Sequence, residues 1–420
     1  MSVITHQGIT SRKLCIVLCV TLAFAVCLRH TPLYPIPLAA ISLLSLLVFI
    51  ASARASVSVC IPLACFVATY GILLAIHPEP ATWLRIQRFI AFTIGMSCFS
   101  PLFQSSRLKL SRHIIAKATY VILSVLVFIS FLIWVICLLR WGENGIWSHG
   151  FHNYGFCGTF RMGMILSPVA AVVTIVSAAM ALSLADNQQS KEKAYVSTIY
   201  GLMVVIGILM CAVGGSRISF LGLAISLLAL LTIRRKSLAG ILKKRTAATV
   251  LTCGVLAIIA LMPLALNVIR HKNAIGESHG TILYSRQELW NDRIEEFKTS
   301  PLTGIGYANE LSSDSESEDS LREIEPGSSW LSLLSYGGIT GASSFLWFLL
   351  LLGKRLIHSR NNHRFPLLFS LLLFLLVNAS TEGWLMFAGS IMFPVFWLTV
   401  SAIWEAGATS FPTQPIAKNG

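Results

Sequence analysis

Four short polar stretches in this chain each set a charged side chain beside residues able to position it. "GGSR" brings Arg217 after two glycines and a serine, between two long apolar runs. "YSRQELWNDRIEEF" carries Arg286, Trp290, Arg293 and Phe297 at helical spacing, so the four share one face. "EIEPGSSWL" puts Glu323 and Glu325 just ahead of a Pro-Gly turn and a Trp/Leu-rich run, and "STEGW" holds Glu382 and Trp384 between two further apolar runs. An arginine near hydrocarbon costs roughly 2.5–3.5 kcal/mol at a helix centre. Arg217 therefore either snorkels to an interface or holds an anion beside a backbone that its glycines let turn tightly. Ser285 and Glu288 have capping-box spacing, which predicts a helix over 286–299 starting at Arg286, its free N–H groups beside that arginine forming an anion site. The same helix also reads as an amphipathic lid lying at lipid headgroups. Glu323 and Glu325 suit the positive end of the following helix, an account sufficient for one carboxylate. Glu382 beside Trp384 also reads as an interfacial residue next to an aromatic anchor.

The elements that position these residues follow from composition. The chain has 420 residues, 55% hydrophobic and 12% charged, with mean hydropathy +0.74, which excludes an ordinary soluble domain and implies a polytopic membrane protein. Runs long enough to cross a bilayer fall at 14–28, 33–52, 55–76, 89–104, 114–139, 163–184, 195–213, 218–233, 246–267, 328–352, 365–379 and 385–404. The expected fold is an all-α integral membrane protein of about twelve transmembrane helices: nine within 1–267, a loop at 268–327, three more within 328–404, and a tail at 405–420. The run 14–28 lacks a small-residue cleavage site and is read as a helix, not a signal peptide.

Basic residues orient the bundle. Arg107, Lys109, Arg112 and Lys117, the run "RRKSLAGILKKR" and the run "KRLIHSRNNHR" all fall on one side under a twelve-helix alternation, which makes that side cytoplasmic and puts both termini there. The net charge of +14 is this bias, dispersed over separate loops, and implies contact with anionic lipid, not nucleic acid. The loop 268–327 holds twelve of the eighteen acidic residues against six Lys and Arg, and lies outside the cytoplasm. Its run "SSDSESEDS" lacks the glycine and ligand offsets of an EF-hand and reads as a solvated segment. The ten cysteines form no CxxC and sit almost wholly in apolar runs as packing residues. No metal-ligand spacing, P-loop or HExxH occurs, so neither metal nor cofactor is expected.

In order along the chain, "GGSR" between two spans, "SRQELW…F…SPLTGIGYAN" in an outer loop, and "SSWLSLLSYGGITG" opening the next helix resemble the bacterial O-antigen ligase and O-antigen polymerase superfamily over about 210–345, with a weaker echo in "GTFRMGMILSP". The resemblance implies a GT-C-like bundle acting at the outer face of the bacterial cytoplasmic (inner) membrane. It implies metal-independent, inverting transfer of glycan from an undecaprenyl-pyrophosphate carrier to an acceptor hydroxyl. The acceptor is lipid A core in the ligases and another lipid-linked repeat in the polymerases, with a flippase or chain-length regulator as possible partners. By position, Arg217 and Arg286 match the family's pyrophosphate arginines, with Arg293 as support and Arg85 and Arg88, at the outer start of the fourth span, as further contacts. The family's histidine, written His-Asn-Ser-aromatic-Leu, is replaced here by Gly327-Ser328-Ser329. A carboxylate can serve as base instead, which points to Glu325, then Glu323, with Glu382 as a lesser candidate. The missing histidine favours polymerase over ligase. Two other classes fit a twelve-span chain, a transporter and an envelope-assembly scaffold. A transporter should show related halves, whereas here the polar features crowd one face.

Overall fold

Apolar runs without proline or charge in their middles become helices, and a computed structural model of the chain shows where they begin and end. It describes residues 2–28, 33, 35–53, 57–77, 83–149, 151–152, 155–160, 162–186, 191–235, 263, 267, 270, 273–274, 277, 284–309 and 327–408. The first eight helices are α1 (Ser2–Leu28), α2 (Pro35–Ser52), α3 (Ile61–Ile76), α4 (Trp83–Phe99), α5 (Ser106–His149), α6 (Gly163–Asp186), α7 (Lys191–Val213) and α8 (Arg217–Ile233). They are followed by α9 (Tyr284–Thr299), α10 (Ser329–His358), α11 (Phe365–Asn378) and α12 (Met392–Ala408). Two short antiparallel pairs complete the described elements: β1 (Ser58–Val59) with β2 (Phe103–Gln104), and β3 (Phe151–His152) with β4 (Gly155–Phe156). Among the described residues, five helical stretches are long and apolar enough to cross a membrane by length and composition, at 35–52, 106–140, 163–184, 195–213 and 329–361. Shorter apolar helices lie at 61–76, 217–233 and 365–378.

Several expected spans differ in extent: 14–28 and 114–139 lengthen to Ser2–Leu28 and Ser106–His149, and three others are cut short or begin late. The run 55–76 becomes helical only at Ile61 and the run 89–104 stops at Phe99, because Ser58-Val59 and Phe103-Gln104 pair as strands. The run 385–404 becomes helical only at Met392. The ninth expected span, 246–267, lies outside the described residues apart from two positions.

Helix α6 is the most enclosed of the five spanning stretches. It meets α7 closely because small residues line the contact: a side chain at Gly207 would run into Thr174 and the Ala170 carbonyl. Such small-residue seams give helices van der Waals contact where lipid removes the hydrophobic drive. An aromatic cluster joins α3, α4, α10 and α12, with Phe66 5.1 Å from Phe345 and Phe396 4.9 Å from Trp397 between ring centroids. Outward faces are apolar, for example Leu139, Leu228 and Leu350, as suits a hydrocarbon surround.

Helix α10 is broken at Gly338, whose φ of 57° and ψ of −159° are non-helical. The break leaves carbonyls and amides without partners in the helix, and the loop after α9 supplies replacements. Ile305 N–H donates to the Ser335 carbonyl at 2.9 Å and Gly306 N–H to the Tyr336 carbonyl at 3.2 Å. In return Ile339 N–H reaches the Pro301 carbonyl at 2.8 Å and Thr340 N–H the Leu302 carbonyl at 3.1 Å. Gly304 and Gly338 permit the approach, since a Cβ on either would strike the opposing backbone. The sequences "PLTGIG" and "SYGGIT" are thus two halves of one backbone interlock, in which buried polar groups are satisfied across segments.

Candidate functional site

The first turns of α4, α6, α8, α10 and α12 and the last turns of α7 and α11 gather at one end of the bundle, with α9 laid against them. At the "GGSR" turn, Gly215 adopts φ 76°, and Gly214 packs where a Cβ would meet Ser167 and Gly163. Ser216 then caps α8 by accepting from the Ser219 N–H. Arg217 opens α8 and its Nη1 donates to Asn273 Oδ1 at 2.8 Å.

Polar side chains continue from this turn to the "STEGW" loop. Ser216 and Ser219 share a hydrogen bond at 2.8 Å, Asn378 Nδ2 donates to Ser219 Oγ at 2.9 Å, and Trp384 Nε1 donates to Asn378 Oδ1 at 2.9 Å. The loop 379–391 is irregular, with every residue buried or half-buried, so its backbone polar groups need partners within the protein. Ser329 does much of this: its N–H reaches the Ala379 and Glu382 carbonyls at 2.9 and 3.1 Å, its Oγ donates to the Glu382 carbonyl at 2.6 Å, and that Oγ accepts from Leu385 N–H at 3.2 Å. The Tyr307 hydroxyl donates to the Met386 carbonyl at 2.9 Å and Trp397 Nε1 to the Leu385 carbonyl at 3.3 Å. These bonds hold residues 385–391 out of α12.

Arg286 extends from α9 to this loop, its Nη2 donating to Glu382 Oε1 at 3.0 Å, with Met164 Sδ at 4.0 Å. The two side chains are 10% and 19% exposed, so the pair is mostly withdrawn from solvent and stronger than a surface pair. Trp290 Nε1 donates to the Gly327 carbonyl at 3.2 Å, fastening α9 to the turn that opens α10.

The face of α9 assigned from sequence to lipid headgroups is instead turned into the protein. Arg286 and Arg293 are both buried, and Arg293 Nη1 donates to Glu296 Oε2 at 2.7 Å. The described helix already contains Tyr284 and Ser285, so it begins two residues before the start at Arg286 that the capping-box spacing predicts, with Arg286 still in its first turn.

A cleft opens between α2, α4, α10 and the 383–389 loop. Arg88, Tyr307, Ser329, Ser332, Tyr336 and Met386 are among its lining residues. Arg85, three positions before Arg88, is buried and faces backbone: its Nε donates to the Tyr307 carbonyl and its Nη2 to the His77 carbonyl, both at 3.4 Å. Gly306, at φ 95°, leaves room for that guanidinium. Burial drives the Tyr307 phenol far above its ordinary range, the neighbouring Tyr336 adds to this, and the Arg88 charge opposes it. Tyr307 is accordingly a neutral hydrogen-bond donor at the cleft.

The structure brings Arg88, Arg286 and Glu382 to one end, along with Arg85 and Trp290 in backbone contacts and Arg217 at the start of α8. Glu323 and Glu325, and the acidic run 312–320, lie outside the described residues. Sequence reasoning missed Tyr307, Ser329, Tyr336 and Glu296. Glu296 had a signal: it stands three residues after Arg293, on the face that carries both arginines. Among the described residues no three His, Cys, Asp or Glu side chains come together.

A search of curated proteins gives no match. Residues 202–346 match a family described as O-antigen ligase, a segment running from mid-α7 past the break in α10. It contains Arg217, Arg286, the interlock and three cleft residues from α10, while Arg85, Arg88 and Glu382 lie beyond it. The match supports the resemblance of this segment to the O-antigen ligase and O-antigen polymerase superfamily.

Proposed function

We propose that this chain is a membrane glycosyltransferase that moves glycan from undecaprenyl pyrophosphate to an acceptor hydroxyl at the outer face of the cytoplasmic membrane, and that within this class it polymerises lipid-linked repeats. The observation that carries the reading is the Arg286–Glu382 pair beside a cleft lined by Arg88, reached from a segment similar to the O-antigen ligase family. In the reaction, an acceptor oxygen bonds to the anomeric carbon as the bond from that carbon to the pyrophosphate oxygen breaks. The electron pair leaves with the lipid pyrophosphate, and the hydroxyl proton passes to a base.

Arginines suit the leaving group because a planar guanidinium meets phosphate oxygens with paired donors and keeps its charge. Arg88, Arg217 and Arg286 are assigned to it, with Arg85 holding the cleft wall. Glu325, backed by Glu323, is assigned as base in place of the family histidine. Glu382 orients Arg286 and is the alternative base. Both termini then face the cytoplasm, twelve spans cross the membrane, and no metal takes part.

The test is transfer by purified protein on native lipid-linked repeat in EDTA. A ladder of longer lipid-linked products without added acceptor is expected. Product only on addition of lipid A core would make it a ligase, and none with either acceptor would favour a transporter or scaffold. Arg217→Ala should abolish product while the protein still inserts, and Glu325→Gln should lower turnover by about 10²-fold or more. Unchanged turnover in Glu325→Gln moves the base to Glu382.

A further inference from the structure

Glu296 is 2% exposed and Arg293 4% exposed, a degree of burial that the sequence "NDRIEEF" does not announce. Glu295 next door is solvent-facing and pairs with Lys298 at 2.7 Å, so the two adjacent glutamates have opposite fates. Glu296 Oε2 accepts from Arg293 Nη1 at 2.7 Å and also from the Ser335 hydroxyl of α10. Arg293 in turn donates to the Asn309 carbonyl at 3.4 Å, and its guanidinium lies 5.4 Å from the centre of the Tyr336 ring. Asn309 Nδ2 closes the circuit by donating to the Ile305 carbonyl at 2.9 Å.

The pair therefore joins three segments: α9, the loop 300–309, and the last turn of α10 before its break. Ser335 is bound through its hydroxyl by Glu296 and through its carbonyl by Ile305. The next residue, Tyr336, lines the cleft, as does Tyr307, whose ring stands 6.2 Å from that of Tyr336. A buried ion pair is weak as a source of stability, because both charges lose their water, and its best-attested use is to fix one arrangement among several.

We infer that Glu296 is a positioning residue: with Arg293 it sets the register of the loop on the broken helix, and through Ser335 it fixes the Tyr307/Tyr336 wall against which the lipid-linked donor binds. This gives Arg293 a part in holding the wall, not in meeting pyrophosphate, and it rests on the donor-cleft reading above. Loss of this latch and simple loss of folded protein are separable. Fewer folded molecules lower apparent kcat at unchanged KM, whereas a displaced wall raises KM for the donor.

The test compares wild type, Glu296→Gln and the apolar pair Arg293→Met/Glu296→Leu, each purified in detergent. Thermal stability, donor KM and kcat, and amide exchange at 301–306 and 335–340 are measured for each. In Glu296→Gln the donor KM should rise about tenfold with a smaller change in kcat, and amides of the interlock should exchange faster. The apolar pair should recover thermal stability without recovering KM. Wild-type KM in either variant, or full recovery in the apolar pair, would overturn the inference. If wild type itself transfers nothing, the donor reading fails separately. Interlock amides protected in wild type and released in Glu296→Gln would then still support the latch, and equal protection would overturn it.

Discussion

Helix α4 has a buried arginine serving each of its ends, and the two ends use the cation differently. At its last turn, Arg112 from α5 donates to the carbonyls of Cys98 at 3.0 Å, Ser97 at 3.4 Å and Phe103 at 2.7 Å. A helix leaves its final carbonyls without partners, and Arg112 covers them while tying in the strand that follows. Arg355 behaves similarly at the same end, donating to the Trp404 carbonyl at 3.1 Å with its guanidinium 3.7 Å from the Trp404 ring centre. At the first turn of α4, Arg85 also faces carbonyls, but Arg88 one turn later lines a cleft, and Arg286 ends on a carboxylate of another segment. A guanidinium aimed at carbonyl dipoles is architecture. A guanidinium beside an opening is what an anionic ligand can reach.

This contrast is breakable in order of effect. Arg286→Ala should lower transfer by about 10²-fold or more, the scale for losing a donor to developing charge, with membrane insertion unchanged. Transfer within a few-fold of wild type would remove the pair from the site. Arg88→Ala should act mainly through donor KM, by about tenfold, in steady-state assays on the purified protein. Arg112→Met should do the reverse, lowering stability by about 1–3 kcal/mol through the carbonyls left bare while turnover per folded molecule stays at the wild-type value. Inactive but stable Arg112→Met would erase the distinction between the ends. Tyr307→Phe, which loses one hydrogen bond to Met386, should cost only about 1 kcal/mol. Because the Tyr307 phenol is held neutral, wild type and this variant should share one pH–rate profile between about pH 6 and 9. The raised phenol weakens the fold only above about pH 10, where an unfolded chain would ionise and the folded one resists.

Hydropathy carried the order of the described helices, since spans are long uniform signals. It failed wherever apolar sequence is not helix. "WLMFAGSIM" reads as the start of a span, yet Ser329, Tyr307 and Trp397 bind its backbone and delay α12 to Met392. Two of those partners, Ser329 and Tyr307, lie 56 and 79 positions away, so no local window contains them. The break in α10 was hidden for a related reason: "SYGGITG" is a permissible helix sequence until the loop offers partners to its backbone. Arg286 and Arg293 were visible as a shared face, but which way that face turned depended on Glu296, Ser335 and Glu382. The arginine of "GGSR" was legible because two glycines and a charge interrupt apolar sequence that would otherwise run on as one long helix.

The bonds from Ser329 and Tyr307 to the 379–391 loop also set a schedule. During synthesis the "GGSR" turn, α9 and the interlock are all made before Glu382 and Met386 leave the ribosome. Until then Ser329 lacks the carbonyls it holds, Arg286 lacks its carboxylate and Tyr307 lacks its acceptor. The cleft wall is finished by a loop translated after the whole matched segment, so a nascent chain carrying every motif of that segment is still an unarmed one.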